Sequence, residues 1–481
     1  MYDTIVIGSD LSSLIAAVTS ASRGRKTVLL SRDDIPDILT TSGYSFNVDP
    51  MPLVAFGPNQ TLSRFFSDHG IPCADDTSIH TLNPAFQMIL PDHRIELFYD
   101  SNDLIGELEK ELSLEGVDIR GIYSSMLKMS DIINTWIQEN PCVMQTQYQH
   151  FVMLIRNFPE MLKLKWSLLT MVRIIRKTPS LKNVFDAVIN VLSYLDTNGN
   201  LFMPLMSPYI LSLPHRGLYY HMGGKGLLME MLRKGFSDKG GELKKYSSIN
   251  HMTTGDGIKV KMEGCEPAIE ISGKHLIIST KSEMFTQLLF DNKKFGRLQR
   301  RLKRVEKRYY PFTLHLGVLG KGIPEKMSPY TAIIVEEKRN LMDSNIIYME
   351  TSMPEDIRRA PAGKRALSAT IFLKDNPLCL SSLELEERSS AIIRQLETFL
   401  PFLRENLDYL NVEVSIELSK KYQEVVNQKF RMKNHSFIGM ASLPNRTPLK
   451  NVHLTGGMLM AGLGFEGEII SGINAALLTI T

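Results

Sequence analysis

The chain has 481 residues, of which 43% are hydrophobic and 22% are charged, and its formal net charge is +3 at pH 7. This composition is typical of a globular protein and excludes a disordered chain, a collagen-like chain and a coiled-coil rod. The small net charge gives no reason to expect nucleic acid as a partner.

Four cysteines, at positions 73, 142, 265 and 379, lie far apart and form neither a CxxC pair nor a zinc spacing. We therefore expect free, buried thiols in a reducing compartment and no metal site. The N-terminus lacks the charged and apolar segments of a signal peptide, and no apolar run reaches the ~18 residues of a membrane span. The expected location is the cytoplasm, with peripheral attachment to a membrane left open.

Residues 3–32 have the pattern of a strand, a helix and a second strand. An apolar run ends at Gly8, apolar residues then recur at helical spacing from 11 to 18, and a second buried strand begins at Thr27. Such a unit directs the N-terminus of its helix at the pyrophosphate of a dinucleotide.

The loop of this unit departs from the G-x-G-x-x-G pattern, because its three positions are Gly8, Asp10 and Ser13. Ser13 is small enough for close packing, but Asp10 places a negative charge where the pyrophosphate would lie, which is repulsive. Alternatively, the carboxylate caps the helix and takes the place of the anion. Ser31 stands where an acid would bind ribose. The predicted cofactor residues of this unit are Gly8, Ser9, Asp10, Leu11, Ser12, Ser13, Ser31 and Arg32.

Two further glycine-rich loops follow. Gly223 and Gly224 precede a helix that Gly240-Gly241 closes, and Asp256-Gly257 then predicts a hairpin. Near the C-terminus a strand at 452–454 leads into glycines and a last helix, which again directs a helix N-terminus at a ligand. The alternative is close packing of that helix on the sheet through small residues. The predicted cofactor residues here are Gly456, Gly457, Gly462, Gly464, Phe465, Glu466 and Gly467.

In this order, the blocks resemble the flavin-dependent amine oxidase superfamily, and most of all its phytoene desaturase and retinol saturase branch. The N-terminal block resembles VIGxGxGGLxAA, the segment from 217 resembles Y-x-x-GG-M-x-x-L, and residues 462–476 resemble G-x-G-x-x-G-x-x-x-SG-x-x-AA. Residues 43–50 resemble G-F-x-F-D-x-G-P, with Asn47 and Asp49 in place of the family's Asp and Gly.

This resemblance implies an α/β protein with a discontinuous, Rossmann-like FAD/NAD(P)-binding domain and a second, α+β substrate or cap domain. We expect residues 1–80, 215–295 and 440–481 to form the first domain, and residues 81–214 and 296–439 to form the second. The resemblance also implies FAD as the cofactor and an oxidoreductase acting on an isoprenoid or other lipid. No catalytic residue can be named in this chain.

The departures from the family pattern favour a second interpretation. They cluster in the N-terminal half of the cofactor site, whereas the C-terminal half keeps its glycines. The same superfamily fold includes the Rab GDP-dissociation inhibitors, which escort prenylated partners. The alternative is therefore a cofactor-free relative that acts as a lipid-binding or protein-interaction module, and both interpretations stay open at this point.

Residues 151–177 combine a high apolar content with six basic residues, Trp166 at the centre and Glu160 as the single acid. This profile is typical of a helix lying on an anionic membrane; the alternative is a cap helix whose basic side chains lie along the protein. In the resembling family this region covers a hydrophobic tunnel. The predicted substrate-side residues are Met203, Met206, Gly223 and Gly224, with core packing as the alternative for the two methionines.

Overall fold

The computed structural model describes most of the chain. The described residues are 1–32, 34–72, 78–112, 117–139, 178–196, 206–255, 257–263, 269–291, 293–303, 305–423, 425–432, 443–480 and isolated positions between 152 and 177. Met203 and most of the predicted membrane segment lie outside them.

The described chain alternates between strands and helices. The strands are β1 (Tyr2–Ile7), β2 (Thr27–Arg32), β3 (Ile38–Thr41), β4 (Tyr44–Asn47), β5 (Ile79–Thr81), β6 (Phe86–Ile89), β7 (Arg94–Leu97), β8 (Tyr219–His221), β9 (Glu242–Tyr246), β10 (Ser248–Thr254), β11 (Ile258–Glu263), β12 (Ile269–Ser279), β13 (Val305–Leu319), β14 (Tyr330–Ile334), β15 (Ile346–Thr351), β16 (Lys364–Leu373), β17 (Leu407–Leu410), β18 (Lys429–Met432) and β19 (Val452–Thr455). The helices are α1 (Leu11–Ser22), α2 (Thr61–Asp68), α3 (Ser101–Leu112), α4 (Ile119–Glu139), α5 (Pro179–Leu192), α6 (Met206–Leu211), α7 (Leu213–Arg216), α8 (Gly224–Asp238), α9 (Glu283–Asp291), α10 (Gly296–Leu302), α11 (Ser382–Phe399), α12 (Val412–Lys421) and α13 (Gly464–Leu477).

A parallel sheet forms the first layer. In space its strands follow the order β19, β12, β1, β2 and β9, all parallel, and β10 and β11 extend it as an antiparallel pair along the N-terminal half of β12. β1 is apolar and buried at Ile5–Ile7 because it lies in the middle of the sheet, as expected for a parallel strand covered on both faces. The carboxyl ends of β1, β12 and β19 therefore lie side by side.

Two helices, α1 and α13, pack together on one face of this sheet. A methyl group on Gly472 of α13 would come within 2.9 Å of the Ile15 side chain and would clash with the carbonyl oxygen of Ser12. Small residues therefore let the two helix backbones approach closely, and this packing holds the N-termini of both helices at the same edge of the sheet.

The strands and helices of this layer lie where the sequence predicts them, except that one strand is longer than predicted. The strand predicted at 275–279 is part of the longer β12, because Ile269–Gly273 pairs with β11 and continues into the parallel sheet. The predicted hairpin is confirmed as β10 and β11, although Asp256 itself lies outside the described residues.

A mixed sheet forms the second layer, with the strand order β17, β13, β16, β15, β14, β6 and β7, and with β18 paired to the start of β13. A buried ion pair between Glu350 of β15 and Arg359 joins this sheet to β4, since Asn47 donates to Glu350 at 2.7 Å and Ser45 donates to the Arg359 carbonyl at 2.8 Å. The two sheets therefore divide the described strands much as the predicted domains do, whose boundaries stay a prediction.

Two expectations concern features outside the sheets. Cys379 is exposed, so the expectation of buried thiols is wrong for this residue, which lies in a short turn of helix on the surface. Among the described residues, no helix is long and apolar enough to cross a membrane.

His453 of β19 makes the stability of the first sheet sensitive to acid. It is buried, stacks on His275 at 6.5 Å, and within the described residues neither ring nitrogen has a hydrogen-bond partner. Burial, together with His275 and Arg446, lowers the pKa of His453 to about 4. Between pH 6.5 and 4 the unfolded chain therefore binds a proton that the folded chain does not, and stability falls as the pH falls.

We predict that His453→Phe removes part of this acid sensitivity. Urea unfolding at pH 7 and pH 4.5 should show a loss of stability that is smaller in the variant by up to about 3 kcal/mol, since one pKa unit is worth about 1.4 kcal/mol. The control is the same change at His251, which is exposed on β10. Equal losses in His453→Phe and the wild-type protein would show that His453 is not the group responsible.

Candidate functional site

The candidate site is the crevice at the carboxyl ends of β1, β12 and β19. Ligands of open α/β sheets bind at such an edge, where helix N-termini point at them. Here Gly8 follows β1, Lys281 follows β12, and Gly456 follows β19. Of the predicted cofactor residues, Ser9, Asp10 and Leu11 line the crevice, and Glu468 of α13 lines it with them.

The carboxylate of Asp10 caps α1. Its Oδ1 accepts hydrogen bonds from the Ser13 amide at 3.1 Å, the Ser13 hydroxyl at 2.5 Å and the Ser12 hydroxyl at 3.1 Å, and its Oδ2 accepts one from Ser279 at 2.8 Å. Asp10 is 4% exposed. Of the two alternatives for Asp10, the structure shows the cap: the carboxylate takes the place that an anion would have at this helix N-terminus.

Ser31, at the predicted ribose position, is hydrogen-bonded to another residue of the chain. The Ser31 hydroxyl donates to the Ser9 hydroxyl at 3.0 Å, and the Arg32 amide donates to the same oxygen at 3.0 Å. The Arg32 guanidinium is paired with Asp34 at 3.0 Å. Ser31 therefore contacts Ser9, and its contact with a ribose stays a prediction.

A second carboxylate, the partly buried Asp49, lies in the same crevice. It forms an ion pair with Lys225 at 2.8 Å and accepts hydrogen bonds from the Asn427 amide at 3.0 Å and the Asn427 side chain at 2.6 Å. Burial raises the pKa of Asp49, but Lys225, Lys281 and the Asn427 hydrogen bonds outweigh burial and hold this pKa below its ordinary value. Asp49 is therefore ionised at neutral pH.

Lys281 and Glu468 form a third buried contact. Their ion pair is 3.0 Å long, the Glu468 side chain is 1% exposed, and Lys281 also donates to the carbonyl oxygen of Val425 at 2.9 Å. Burial raises the pKa of Glu468, and the carboxylates of Asp10 and Asp49 raise it further. Lys281 and Lys225 lower this pKa, but it stays above its ordinary value. Glu468 therefore serves as a buried ion-pair partner and lines the same cavity as Asp10 and Asp49.

Tyr194 fills the space in front of the C-terminal glycines. Its amide donates to the carbonyl oxygen of Ala461 at 2.7 Å, and a methyl group on Gly457 would come within 2.6 Å of its ring. Gly464 has a left-handed φ of 54°, and a methyl group there would clash with the Leu192 carbonyl oxygen. Burial raises the pKa of Tyr194 well above its usual range, and three nearby carboxylates raise it further. Because Gly457 and Gly464 have no side chain, the segment 192–194 packs directly against them.

The other predicted residues of the C-terminal block have structural contacts. Phe465 is buried, Gly467 packs against Met460, and Ser471 accepts from the Gly456 amide at 2.9 Å. Glu466 accepts a hydrogen bond from Tyr209 at 2.5 Å and another from Thr61. These contacts support close packing of α13, which was the alternative to ligand binding.

The remaining space in the crevice is a cavity of about 30 Å³, which is room for about one water molecule. Sites for drug-sized ligands have volumes of roughly 300–1,000 Å³. Four carboxylates line the cavity and only two ammonium groups do; the lining charges are Asp10, Asp37, Asp49, Glu468, Lys225 and Lys281. In this arrangement the residues do not fit FAD, because the space is too small and because the Asp10 carboxylate already binds the N-terminus of α1, where a pyrophosphate would lie.

The predicted substrate-side residues divide into two groups. Gly223 and Gly224 lie at the start of α8, where a methyl group on Gly224 would come within 2.5 Å of the Asn47 side chain. Met206 is fully buried in α6, and Met203 lies outside the described residues. Whether these residues contact a substrate stays a prediction.

Sequence reasoning missed the partners of the carboxylates. Lys225, Lys281 and Asn427 are not near one another in sequence, and the structure brings them to one cavity. One signal was present: Lys225 interrupts a run of glycines, and Asp49 stands at a glycine position of the family pattern. Only the fold shows that this acid and this base form an ion pair.

Comparison with known proteins agrees with the resemblance found in the sequence. No family model matches the chain. Prolycopene isomerase of Arabidopsis thaliana, a chloroplastic protein, is 22% identical over 504 aligned positions that cover 99% of this chain and 82% of the relative. The 4,4'-diapolycopene oxygenase of a Methylomonas species is 21% identical over 511 positions that cover 97% of this chain and 96% of the relative.

Solved structures share the fold along nearly the whole chain. An oxidoreductase from Methanosarcina mazei has a TM-score of 0.59 at 14% identity, covering 98% of each chain. Cyclohexylamine oxidase from Brevibacterium oxydans has a TM-score of 0.57 at 12% identity, covering 99% of this chain and 98% of the other. A Rab GDI from Plasmodium falciparum has a TM-score of 0.50 at 12% identity, covering 98% and 97%.

The predicted fold class and the resemblance are therefore confirmed. The chain has the Rossmann-like α/β fold of the flavin-dependent amine oxidase superfamily. Its sequence is similar, at 21–22% identity, to a prolycopene isomerase and to a 4,4'-diapolycopene oxygenase.

We predict that the Lys281–Glu468 pair is needed for stability. Lys281→Met leaves the Glu468 carboxylate buried without its cation, and breaking a buried pair in this way costs about 3–5 kcal/mol. Urea unfolding of Lys281→Met should show this loss, and adding Glu468→Leu should recover most of it. The matched control is Lys274→Met, which breaks an exposed pair with Asp3 and should cost less than about 1 kcal/mol. Equal costs for the two single variants would contradict this assignment.

Proposed function

We propose that this chain is a phytoene desaturase-like protein that acts on a long hydrophobic molecule, an isoprenoid or another lipid. The observation that carries the proposal is the sequence similarity along 97–99% of the chain to proteins named for prolycopene and diapolycopene. Both names denote extended, apolar polyenes. A site for such a molecule is lined by apolar side chains with few polar groups.

A cavity between the second sheet, the segment 48–52 and α5 has such a lining. This cavity, of about 30 Å³, adjoins the crevice, and its apolar lining includes Met51, Val191, Tyr348 and Phe372. Lys429 is its buried cation, held by the carbonyl oxygens of Asn190 and Ser193. Burial lowers the pKa of Lys429 to about 7. Apolar walls beside a buried amine support this region as the inner end of a hydrophobic ligand site. Because about 30 Å³ holds only about one water molecule, the walls must move apart when the proposed ligand binds.

The chemistry performed on that molecule depends on the cofactor. FAD, which the resemblance implies, would supply hydride transfer when bound. The oxidoreductase among the solved structures of similar fold favours this form. The Asp10 cap and the filled crevice favour the second candidate, a cofactor-free relative that binds or escorts its hydrophobic ligand. Recognition of the hydrophobic molecule is common to both forms.

We expect the purified chain to bind prolycopene supplied in detergent micelles. Gel filtration with detection at the absorbance of the polyene should show about one polyene per chain. Val191→Phe fills the cavity and should reduce binding at least tenfold, whereas Leu383→Phe, at an exposed position on α11, should leave it unchanged. Failure of the wild-type protein to retain the polyene above the level of a micelle-only run would contradict the proposal.

We further propose that residues 151–177 attach the protein to an anionic membrane surface, from which lipid substrates can be taken. The support is the sequence of this segment, since few of its residues are described. Its basic residues and Trp166 match the profile of interfacial helices.

We predict that the wild-type protein sediments with vesicles containing phosphatidylserine, and that binding decreases as salt rises from about 0.05 M to about 0.5 M, because salt screens the charges. Lys163→Glu combined with Lys165→Glu should abolish this binding. Lys259→Glu with Lys261→Glu, two exposed lysines at the same spacing on β11, is the control. Equal sedimentation with phosphatidylcholine vesicles would contradict an electrostatic attachment.

A further inference from the structure

Two carboxylates, one buried and one partly buried, stand at glycine positions of the family pattern, and both line the same cavity. Asp10 replaces the second glycine of the N-terminal loop, and Asp49 replaces a glycine in the 43–50 stretch. Although these positions are 39 residues apart in sequence, both side chains reach the crevice beyond the first sheet. The carboxylate of Glu468 is close enough to both that each raises its pKa.

The groups that bind these carboxylates are of the kind that would bind a diphosphate. Asp10 accepts the amide of Ser13 at the N-terminus of α1, where a helix binds anions. Asp49 is paired with the ammonium of Lys225 and accepts an amide from Asn427. A pyrophosphate bridge carries two negative charges, and Asp10 and Asp49 supply two.

Two backbone segments, 192–194 and 425–427, also occupy space at the crevice. The segment 192–194 occupies the open side of Gly457 and Gly464, and the loop at 425–427 is tied to the network through the Val425 carbonyl and Asn427. Each contact joins residues far apart in sequence. The crevice is therefore filled by specific hydrogen bonds and ion pairs made by the chain itself.

We propose that Asp10 and Asp49 take the place of the two pyrophosphate charges of a dinucleotide, so that the native crevice is closed to FAD by the chain's own carboxylates. The inference rests on the proposed function, because it specifies that the hydrophobic ligand is bound by a protein without FAD. The network of Asp10, Asp49, Glu468, Lys225 and Lys281 then provides the stability that a bound cofactor would otherwise provide.

The test is equilibrium dialysis of the full-length protein against FAD, with the thermal midpoint measured in parallel. The wild-type protein should carry no flavin, should bind FAD more weakly than about 1 mM, and should show no thermal shift. Asp10→Gly combined with Asp49→Gly, which restores the glycines, should bind FAD at least about tenfold more tightly and should be stabilised by it. The double Asn variant removes the charge and keeps the size, so it should lie between the two.

The matched control is Asp34→Asn, which removes a carboxylate that is paired with Arg32 and is not part of the cavity lining. Its affinity for FAD should equal that of the wild-type protein. An increase as large as that of the double glycine variant would overturn the role of Asp10 and Asp49. Stoichiometric FAD in the wild-type protein would overturn the inference even if no variant folded.

The two proposals fail in different ways. A wild-type protein that takes up FAD and prolycopene contradicts the closed crevice and leaves the hydrophobic substrate in place. A protein that excludes FAD and does not retain prolycopene supports the closed crevice and contradicts the proposed function.

Discussion

The hydrogen bonds of the Asp10 carboxylate at the N-terminus of α1 are the constraint on which the crevice depends. A helix N-terminus at the edge of a parallel sheet presents unsatisfied amides and a partial positive charge. In a dinucleotide-binding protein a pyrophosphate satisfies them; here Asp10 does, together with Ser12, Ser13 and Ser279. Once the anion position is satisfied from within, the crevice can close over it.

Closing the crevice places several charges in a region with little water. Such charges are tolerated only when they are paired and hydrogen-bonded. Lys225 and Lys281 meet this condition by pairing with Asp49 and Glu468, and the loop at 425–427 supplies further hydrogen bonds. The contacts that close the site are therefore also contacts that hold α8, α13 and the end of β12 together.

The sequence predicted the parts of this picture that depend on local pattern. The strand, helix and strand at the N-terminus, the glycine loops and the hairpin at β10 and β11 follow from hydrophobic spacing and turn residues, and the structure confirms them. The sequence also left two alternatives for Asp10: its carboxylate repels a bound pyrophosphate, or it caps the helix in place of the pyrophosphate. The sequence alone could not decide between them. That choice depends on Ser279 and on segments 192–194 and 425–427, which reach the crevice only through the tertiary fold.

The most direct test of a crevice closed by its own carboxylates is a crystal structure of the wild-type protein grown with FAD in large excess. The account predicts that the Asp10 carboxylate remains within hydrogen-bond distance of the Ser13 amide and the Ser279 hydroxyl, with no dinucleotide between β1 and α1. Electron density for FAD over the N-terminus of α1, with Asp10 turned away and the 192–194 segment displaced, would contradict it.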